Sequence, residues 1–201
     1  MDVWRTAELS IGQSARNEDR VAVLAAADRV VLVVADGAGG SGRGADAAES
    51  IVALVRKRSA TGPFDAAALL READAALAPT GGESTAVIVT VDDRGISGAS
   101  VGDSAAWIVD GAGYVDLTER QRRKPLVGSG RAQPSPFHAP PLTGTLLLGT
   151  DGLFKYAPPS LIRQIATDFA FATIADRLIA SVRLPSGVLH DDTTIAICRR
   201  A

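Results

Sequence analysis

A chain of 201 residues is long enough to bury one substantial core and short for two, so we expect a single domain over 1–201. Hydrophobic residues make up 46% of the sequence and charged residues 22%, which is typical of a globular protein and excludes a disordered or fibrous one. The net charge of −2 argues against a nucleic-acid-binding protein, and we interpret the basic run 120–124 as a solvated loop.

The N-terminus lacks the basic start, apolar core and small-residue cleavage site of a secretory signal. No apolar stretch approaches the ~20 residues that a membrane-spanning helix needs. The single cysteine, Cys198, has no partner for a disulfide bond, as in most proteins of reducing compartments. We therefore expect a cytoplasmic protein that does not bind membranes.

Short apolar runs, many rich in valine and isoleucine, predict strands along most of the chain. In chain order these strands are 4–9, 21–25, 30–35, 85–91, 96–101, 106–109, 114–117, 145–148 and 193–198. Apolar periodicity and capping residues predict helices over 44–59, over 65–77 with Asp65 as N-cap, from about 159, and over 174–182. The proline-rich segment 121–141 is predicted to be an irregular surface excursion.

The order of these elements indicates the fold class. The helices form two pairs separated by a run of strands, which is not the strict alternation of a parallel α/β protein. Turn sequences at 92–95 and 110–113 join neighbouring strands as hairpins, and such local pairing favours antiparallel sheets. We predict an α+β fold in which two antiparallel sheets are flanked by helices.

Acidic residues border the apolar runs at four places that lie far apart in the sequence. They are Asp36, Asp151, Asp191 and the pair Glu18 and Asp19. Because a desolvated and unpaired carboxylate is very costly, the four places indicate one shared partner. Hard oxygen ligands suit Mg²⁺ or Mn²⁺ better than zinc, so we expect a metal enzyme.

Glycines at 37, 39 and 42 also give the outline of a dinucleotide-binding fingerprint between a strand and a helix. In that interpretation Asp36 would direct its charge at a pyrophosphate, and no second strand ending in an acidic residue follows the helix. A nucleotide cofactor is therefore disfavoured. A turn that requires glycine is the simpler explanation, but it does not account for Asp36.

Seven short motifs in chain order distinguish this sequence. They are RNED at 16–19, ADGAGG at 35–40, GESTA at 82–86, VGDS at 101–104, LT at 117–118, GTDGL at 149–153 and DDTT at 191–194. Each motif alone is weak, but together they resemble the metal-dependent protein phosphatases (the PPM family, type 2C serine/threonine phosphatases) along nearly the whole chain. The resemblance implies a β-sandwich with helices on both outer faces and, at 121–141, a shortened flap.

The resemblance also implies a two-metal centre at one end of the sheets. Asp36 would bridge both Mn²⁺ or Mg²⁺ ions, Asp151 and Asp191 would complete the first site, and the Gly37 carbonyl would join the second. These three aspartates are the implied catalytic residues. The implied reaction is hydrolysis of phosphoserine or phosphothreonine by a metal-activated water, without a covalent intermediate.

Further roles follow from the same motifs. Glu18 and Asp19 would hold metal-bound waters, and Asp103 would take part in a weaker third metal site. The usual phosphate-binding arginine of the family is replaced by Ser14. Arg16 is either its substitute or a surface arginine.

Three functions stay open at this point. We favour a protein phosphatase, whose partners would be a phosphorylated protein and an opposing serine/threonine kinase, with no nucleic acid and no membrane. The substitutions at Ser14, at Ala38 (where some members have a general-acid histidine) and around Glu119 instead favour a non-catalytic pseudophosphatase. The short flap is also compatible with a phosphatase for small phosphorylated metabolites.

Overall fold

The computed structural model describes residues 4–38 and 42–201. Residues 39–41, which complete the glycine-rich motif after Asp36, lie outside the described residues. The described strands are β1 (Trp4–Ile11), β2 (Asp19–Ala25), β3 (Arg29–Ala38), β4 (Glu83–Ser84), β5 (Ala86–Asp92), β6 (Gly95–Val101), β7 (Ala105–Val109), β8 (Tyr114–Asp116), β9 (Ser135–Ala139), β10 (Thr145–Gly149) and β11 (Thr193–Arg200). The described α-helices are α1 (Gly44–Ser59), α2 (Ala66–Leu77), α3 (Asp151–Phe154), α4 (Pro159–Ala166) and α5 (Ile174–Ser181).

The strands form two sheets. One has the order β1-β11-β10-β7-β8, and the other has the order β2-β3-β5-β6-β9 with β4 beside the end of β3. All the pairings between these strands are antiparallel. The predicted fold class, two antiparallel sheets with helices, is confirmed.

Strand β3 shows why the two sheets stack with helices outside them. Its side chains alternate between two faces, as the period of two residues in a strand requires. Val31 and Val33 belong to a buried cluster with α1 and α2, whereas Leu32 and Val34 belong to a cluster with residues of the other sheet. Because both faces are covered, the strand is apolar from Val30 to Ala35 rather than alternating.

The other sheet is covered in the same way. Leu147 of β10 packs with Ile162 of α4 and Leu178 of α5, and all three are fully buried. The chain therefore forms four layers, helix, sheet, sheet and helix. No helix among the described residues has the length and apolar character needed to cross a membrane.

The prediction that 121–141 is irregular is wrong for its last third. Residues Ser135–Ala139 form β9, which pairs with β6. Pro136 argued against a strand because proline has no N–H to donate to a sheet. It is tolerated here because β9 is the edge strand, so one side of its backbone needs no sheet partner.

Candidate metal centre

The first pair of candidate residues faces each other across two strands. Asp36 lies near the end of β3, and Asp19, the first residue of β2, is its partner in the register. Directly opposed residues of an antiparallel pair project their side chains from the same face of the sheet. The β2–β3 hairpin therefore brings the two carboxylates together, although they are distant in the sequence.

The second pair lies at the ends of two strands in the other sheet. Asp151 is the first residue of α3, two residues after β10, and Asp191 lies two residues before β11. The Thr150 N–H donates to the Thr194 carbonyl at 3.0 Å, which joins the two segments. Both carboxylates are therefore presented at the same end of this sheet.

The pKa of Asp36 reports how closely the carboxylates gather. Burial, and then the charge of Asp19, raises it from the ordinary 3.8 to about 9. The remaining carboxylates that raise it are those of Asp151, Asp103 and Asp191. Five of the carboxylates that the sequence singled out are therefore near one another.

Asp19 and Asp151 show the same effect. Burial raises the pKa of Asp19 to about 7, the Thr150 and Thr194 side chains oppose this rise, and the charges of Asp192 and Asp151 add to it. The pKa of Asp151 is raised by burial, then by Asp191 and Asp103. Repulsion of this kind favours any cation that enters the site.

One buried oxygen lacks a partner. Asp19 is 2% exposed, and its Oδ2 accepts a hydrogen bond of 2.9 Å from the Thr150 hydroxyl, which itself accepts from the Thr194 N–H at 3.1 Å. Its Oδ1 has no hydrogen-bond partner in the described part of the chain. An orphaned carboxylate oxygen among other carboxylates fits a hard divalent cation by its donor chemistry.

The carboxylates nevertheless do not form a coordination shell. Within residues 4–38 and 42–201, no group of three His, Cys, Asp or Glu side chains is arranged so that it could hold a metal ion. By their chemistry the oxygen donors of the site nevertheless fit Mg²⁺ or Mn²⁺.

The backbone of Asp36 is fixed by the GESTA motif. Its carbonyl accepts hydrogen bonds from the Ser84 hydroxyl at 2.8 Å and from the Thr85 N–H at 2.9 Å. Its own N–H donates to the Thr85 hydroxyl at 3.2 Å. The strand end that presents Asp36 is therefore held from both sides of the peptide.

Glycines at the same strand end have a steric purpose. A side chain on Gly44 would place its Cβ 2.6 Å from the Gly37 carbonyl carbon and 2.9 Å from Glu18 Oε2, which is too close for real atoms. The end of β3 and the start of α1 thus touch backbone to backbone. This contact explains Gly37 and Gly44 without a nucleotide, and it places the Glu18 carboxylate beside both.

Arg16 is engaged with this edge of the site. Its guanidinium lies 3.4 Å from Glu18 Oε1 and donates to the Gly42 carbonyl, and its side chain is 63% exposed. Asp103 lies in the turn between β6 and β7, near enough to raise the pKa of both Asp36 and Asp151.

Sequence reasoning missed two residues that organise the site. Asp192 accepts backbone N–H groups from Gln13 and Glu18, each at 2.7 Å, so its carboxylate ties the β1–β2 loop to the last strand. Thr150 joins Asp19 to Thr194 as described above. Thr150 lies in the GTDGL motif and Asp192 in the DDTT motif, and these positions are the only signal of their roles in the sequence.

The comparisons with known proteins agree with this architecture. The profile of the SpoIIE family, described as Stage II sporulation protein E, matches residues 26–201. The chain belongs to this family. No curated protein sequence matches the chain.

Solved structures of bacterial phosphatases and of RsbX share the fold. The catalytic domain of the serine/threonine phosphatase PstP, in complex with two manganese ions, superimposes with a TM-score of 0.82 at 22% identity over 98% of this chain and 97% of that one. Stp1 from Staphylococcus aureus gives 0.82 at 18% identity over 100% and 96%. RsbX in complex with magnesium gives 0.80 at 18% over 98% and 96%. The resemblance to the metal-dependent protein phosphatases is confirmed.

Proposed function

We propose that this protein is a metal-dependent serine/threonine phosphatase that hydrolyses phosphoserine or phosphothreonine in proteins at a dinuclear Mn²⁺ or Mg²⁺ centre. The observation that supports this most is the gathering of mutually repelling carboxylates around Asp36, with an orphaned oxygen on Asp19. A protein fold gains nothing in stability from such a group. A divalent cation would neutralise it.

The resemblance to the metal-dependent protein phosphatases supplies the roles proposed for the residues. Asp36, Asp151, Asp191 and the Gly37 carbonyl would hold the two cations, and Asp103 would contribute to a third. A bound pair of cations supplies charge neutralisation at the phosphoryl group and lowers the pKa of water. Because catalysis of this kind depends on charge and position, the chain needs no nucleophilic side chain.

Other residues around the cations would place water and substrate. The Glu18 and Asp19 carboxylates would accept hydrogen bonds from water in the site and orient it. Arg16 would bind the substrate phosphate if it exchanged its contacts with Glu18 and Gly42 for the phosphoryl oxygens. Its high exposure leaves it free to turn.

The experiment is hydrolysis of a chromogenic aryl phosphate by the purified protein with Mn²⁺, with Mg²⁺ and with chelator. We expect metal-dependent turnover that Asp36→Asn lowers by at least about 100-fold, since the variant removes a carboxylate that would hold the cations. Asp176→Asn, an exposed aspartate at the start of α5, is the matched control and should retain activity. Turnover that survives chelation or Asp36→Asn would contradict the proposal.

A non-catalytic binding module on the same fold is the second candidate, because Ala38 offers no general acid and Arg16 is already engaged. It predicts a folded protein that binds metal in calorimetry without turnover. A phosphatase for small metabolites is separated from the first proposal by comparing kcat/KM for phosphopeptides with kcat/KM for a panel of phosphorylated metabolites.

A further inference from the structure

The basic run 120–124, which we interpreted from the sequence as a solvated loop, lies against the site. The Gln121 side-chain amide donates to the Ser104 carbonyl at 2.7 Å, and the Gly102 N–H donates to the Arg122 carbonyl at 3.2 Å. Both contacts are made with the β6–β7 turn that holds Asp103. The positive charge of Arg123 lowers the pKa of Asp151, so the run and the carboxylates share one end of the molecule.

A groove opens beside this run. It has a volume of about 500 Å³, and Pro125 and the buried Leu126 line it together with the exposed cations Lys124 and Arg131. We call this cavity the basic groove. Glu83 of β4 lines it on the side of the metal centre, and Glu83 is paired in register with Ala38.

The basic groove is built rigidly for a surface loop. Asp74 of α2, which is 6% exposed, accepts backbone hydrogen bonds from Gly128 at 2.8 Å, Gly130 at 2.9 Å and Ala132 at 3.0 Å. Val127 and Ser84 exchange two backbone hydrogen bonds of 2.9 and 3.1 Å. A preformed groove loses little conformational entropy when it binds a ligand.

The cations of the groove lack acidic partners, whereas some cations elsewhere on the surface are paired. Arg20 and Arg58 form ion pairs of 2.8 and 2.7 Å with glutamates of the helical layer. Lys124 and Arg131 make no ion pair with any residue that the structure describes, and neither does Arg123, which precedes the groove in the chain. They are therefore available to an anionic ligand.

The distance between the basic groove and the candidate metal centre determines which residues of a bound peptide can contact the groove. From the end of β3 across β4 to Val127 there are two strand spacings, which amount to about 10 Å. An extended peptide covers about 3.3 Å per residue, so a side chain roughly three residues from the reacting one reaches the groove.

We propose that the basic groove binds acidic side chains about three residues away from the phosphoserine or phosphothreonine, so that the preferred substrates are acidic phosphorylated segments. The inference rests on the proposed function and gives it a substrate class. The occupant is an acidic peptide rather than a nucleic acid, because the apolar floor of Pro125 and Leu126 suits aliphatic side-chain stems and offers no aromatic ring for a base to stack on.

The experiment compares two phosphothreonine peptides that differ only at positions −3 and +3, where one has glutamate and the other has alanine. In the wild-type protein we expect kcat/KM for the acidic peptide to be roughly 10-fold higher, since each exposed charge pair contributes up to about 5-fold. The double variant Lys124→Glu/Arg131→Glu should abolish or invert this ratio. The matched double variant Arg71→Glu/Arg94→Glu changes the net charge equally at exposed positions outside the groove and should preserve it.

A binding measurement separates this inference from the proposed function. The acidic peptide with a non-hydrolysable phosphonate is titrated by fluorescence anisotropy, which needs no turnover. If the protein hydrolyses aryl phosphate but shows no preference for the acidic peptide, the proposal for the groove is wrong and the proposed phosphatase activity stands. If the protein has no turnover but binds the peptide, and only the groove variant loses this binding, the proposal for the groove is supported and the proposed phosphatase activity is wrong. Equal losses in both double variants, or tighter binding of a single-stranded RNA than of the peptide, overturn the groove.

Discussion

Two buried aspartates in this protein, Asp74 and Asp19, differ in how well their carboxylate oxygens are hydrogen-bonded. Asp74 is 6% exposed, and both of its oxygens accept backbone N–H groups, three in all. Asp19 is 2% exposed, yet it receives one hydroxyl hydrogen bond, leaves Oδ1 without a partner in the described residues, and has its pKa raised to about 7 mainly by burial. The chain can thus satisfy a buried carboxylate with its own backbone, as it does for Asp74, but it provides no such partners for Asp19.

The difference indicates what each region is for. Asp74 anchors the excursion to α2, and its charge is dispersed over three amide dipoles. Asp19 faces Asp36 and other carboxylates, so this end of the two sheets destabilises the fold when nothing neutralises it. A local loss of folding stability at a cluster of carboxylates is typical of a site that binds a cation.

The largest effect that we expect concerns pH. Because burial and the charge of Asp19 raise the pKa of Asp36 to about 9, we expect the folded protein to hold a proton on Asp36 at pH values where the unfolded chain, with a pKa near 4, has released it. Between these values the folded state binds more protons, so without divalent cations the free energy of unfolding falls as the pH rises. One extra bound proton corresponds to about 1.4 kcal/mol per pH unit, so the loss approaches ~4 kcal/mol between pH 5 and pH 8.

Urea unfolding in chelator at a series of pH values measures this loss. Asp36→Asn should flatten the curve and be more stable than the wild type at pH 8, because the amide is never charged. Asp176→Asn should follow the wild type. A wild-type stability that rises from pH 5 to pH 8 would show that the carboxylates are not in conflict.

The next effect concerns the satisfied carboxylate. Asp74→Ala removes the acceptor of three backbone donors, and leaving such donors unpaired costs about 1 kcal/mol or more each. We expect a loss of roughly 3 kcal/mol in urea unfolding, with little dependence on divalent cations. Asp74→Asn keeps one carbonyl oxygen for Gly128 and Gly130 and should lose about half as much. Equal stability of Asp74→Ala and the wild type would mean that the excursion is not anchored there.

A smaller effect is expected where the unsatisfied carboxylate has its one partner. Thr150→Val keeps the shape of the side chain but removes the hydroxyl that donates to Asp19 and accepts from Thr194. We expect a loss of about 2 kcal/mol in chelator. Thr150→Ser retains the hydroxyl and should lose only about 1 kcal/mol, the contribution of a buried methyl group. A smaller loss in the valine variant than in the serine variant would contradict the hydrogen-bond network.

The sheets and most helices could be predicted because their signals are local. Apolar runs, Asp-Gly turns and the Asp65 N-cap each identify an element without knowledge of its neighbours, and Asp65 indeed accepts the N–H groups of Ala67 and Ala68. Strands β4 and β9 were missed because they exist only through a partner, β3 for the first and β6 for the second. Helix α3 was missed because one turn of helix is too short to show a periodicity.

The candidate site was predictable in its residues but not in its contacts. The carboxylates beside apolar runs could be read from the sequence, and the resemblance supplied their roles. The hydrogen bond between Asp19 and Thr150 spans 131 residues, and the contact of Asp74 with Gly128 spans 54. No spacing rule reaches across such separations, so the contrast between the two carboxylates required the fold.

The most direct measurement is thermal unfolding of the wild type and Asp36→Asn at pH 7.5, first in chelator and then with increasing Mn²⁺. We expect the wild-type Tm to rise by roughly 5–10 °C as Mn²⁺ reaches about 100 times its Kd. Asp36→Asn should start higher than the wild type and gain little. No shift of the wild type in millimolar Mn²⁺, or an equal shift in both proteins, would contradict a cation site built on Asp36.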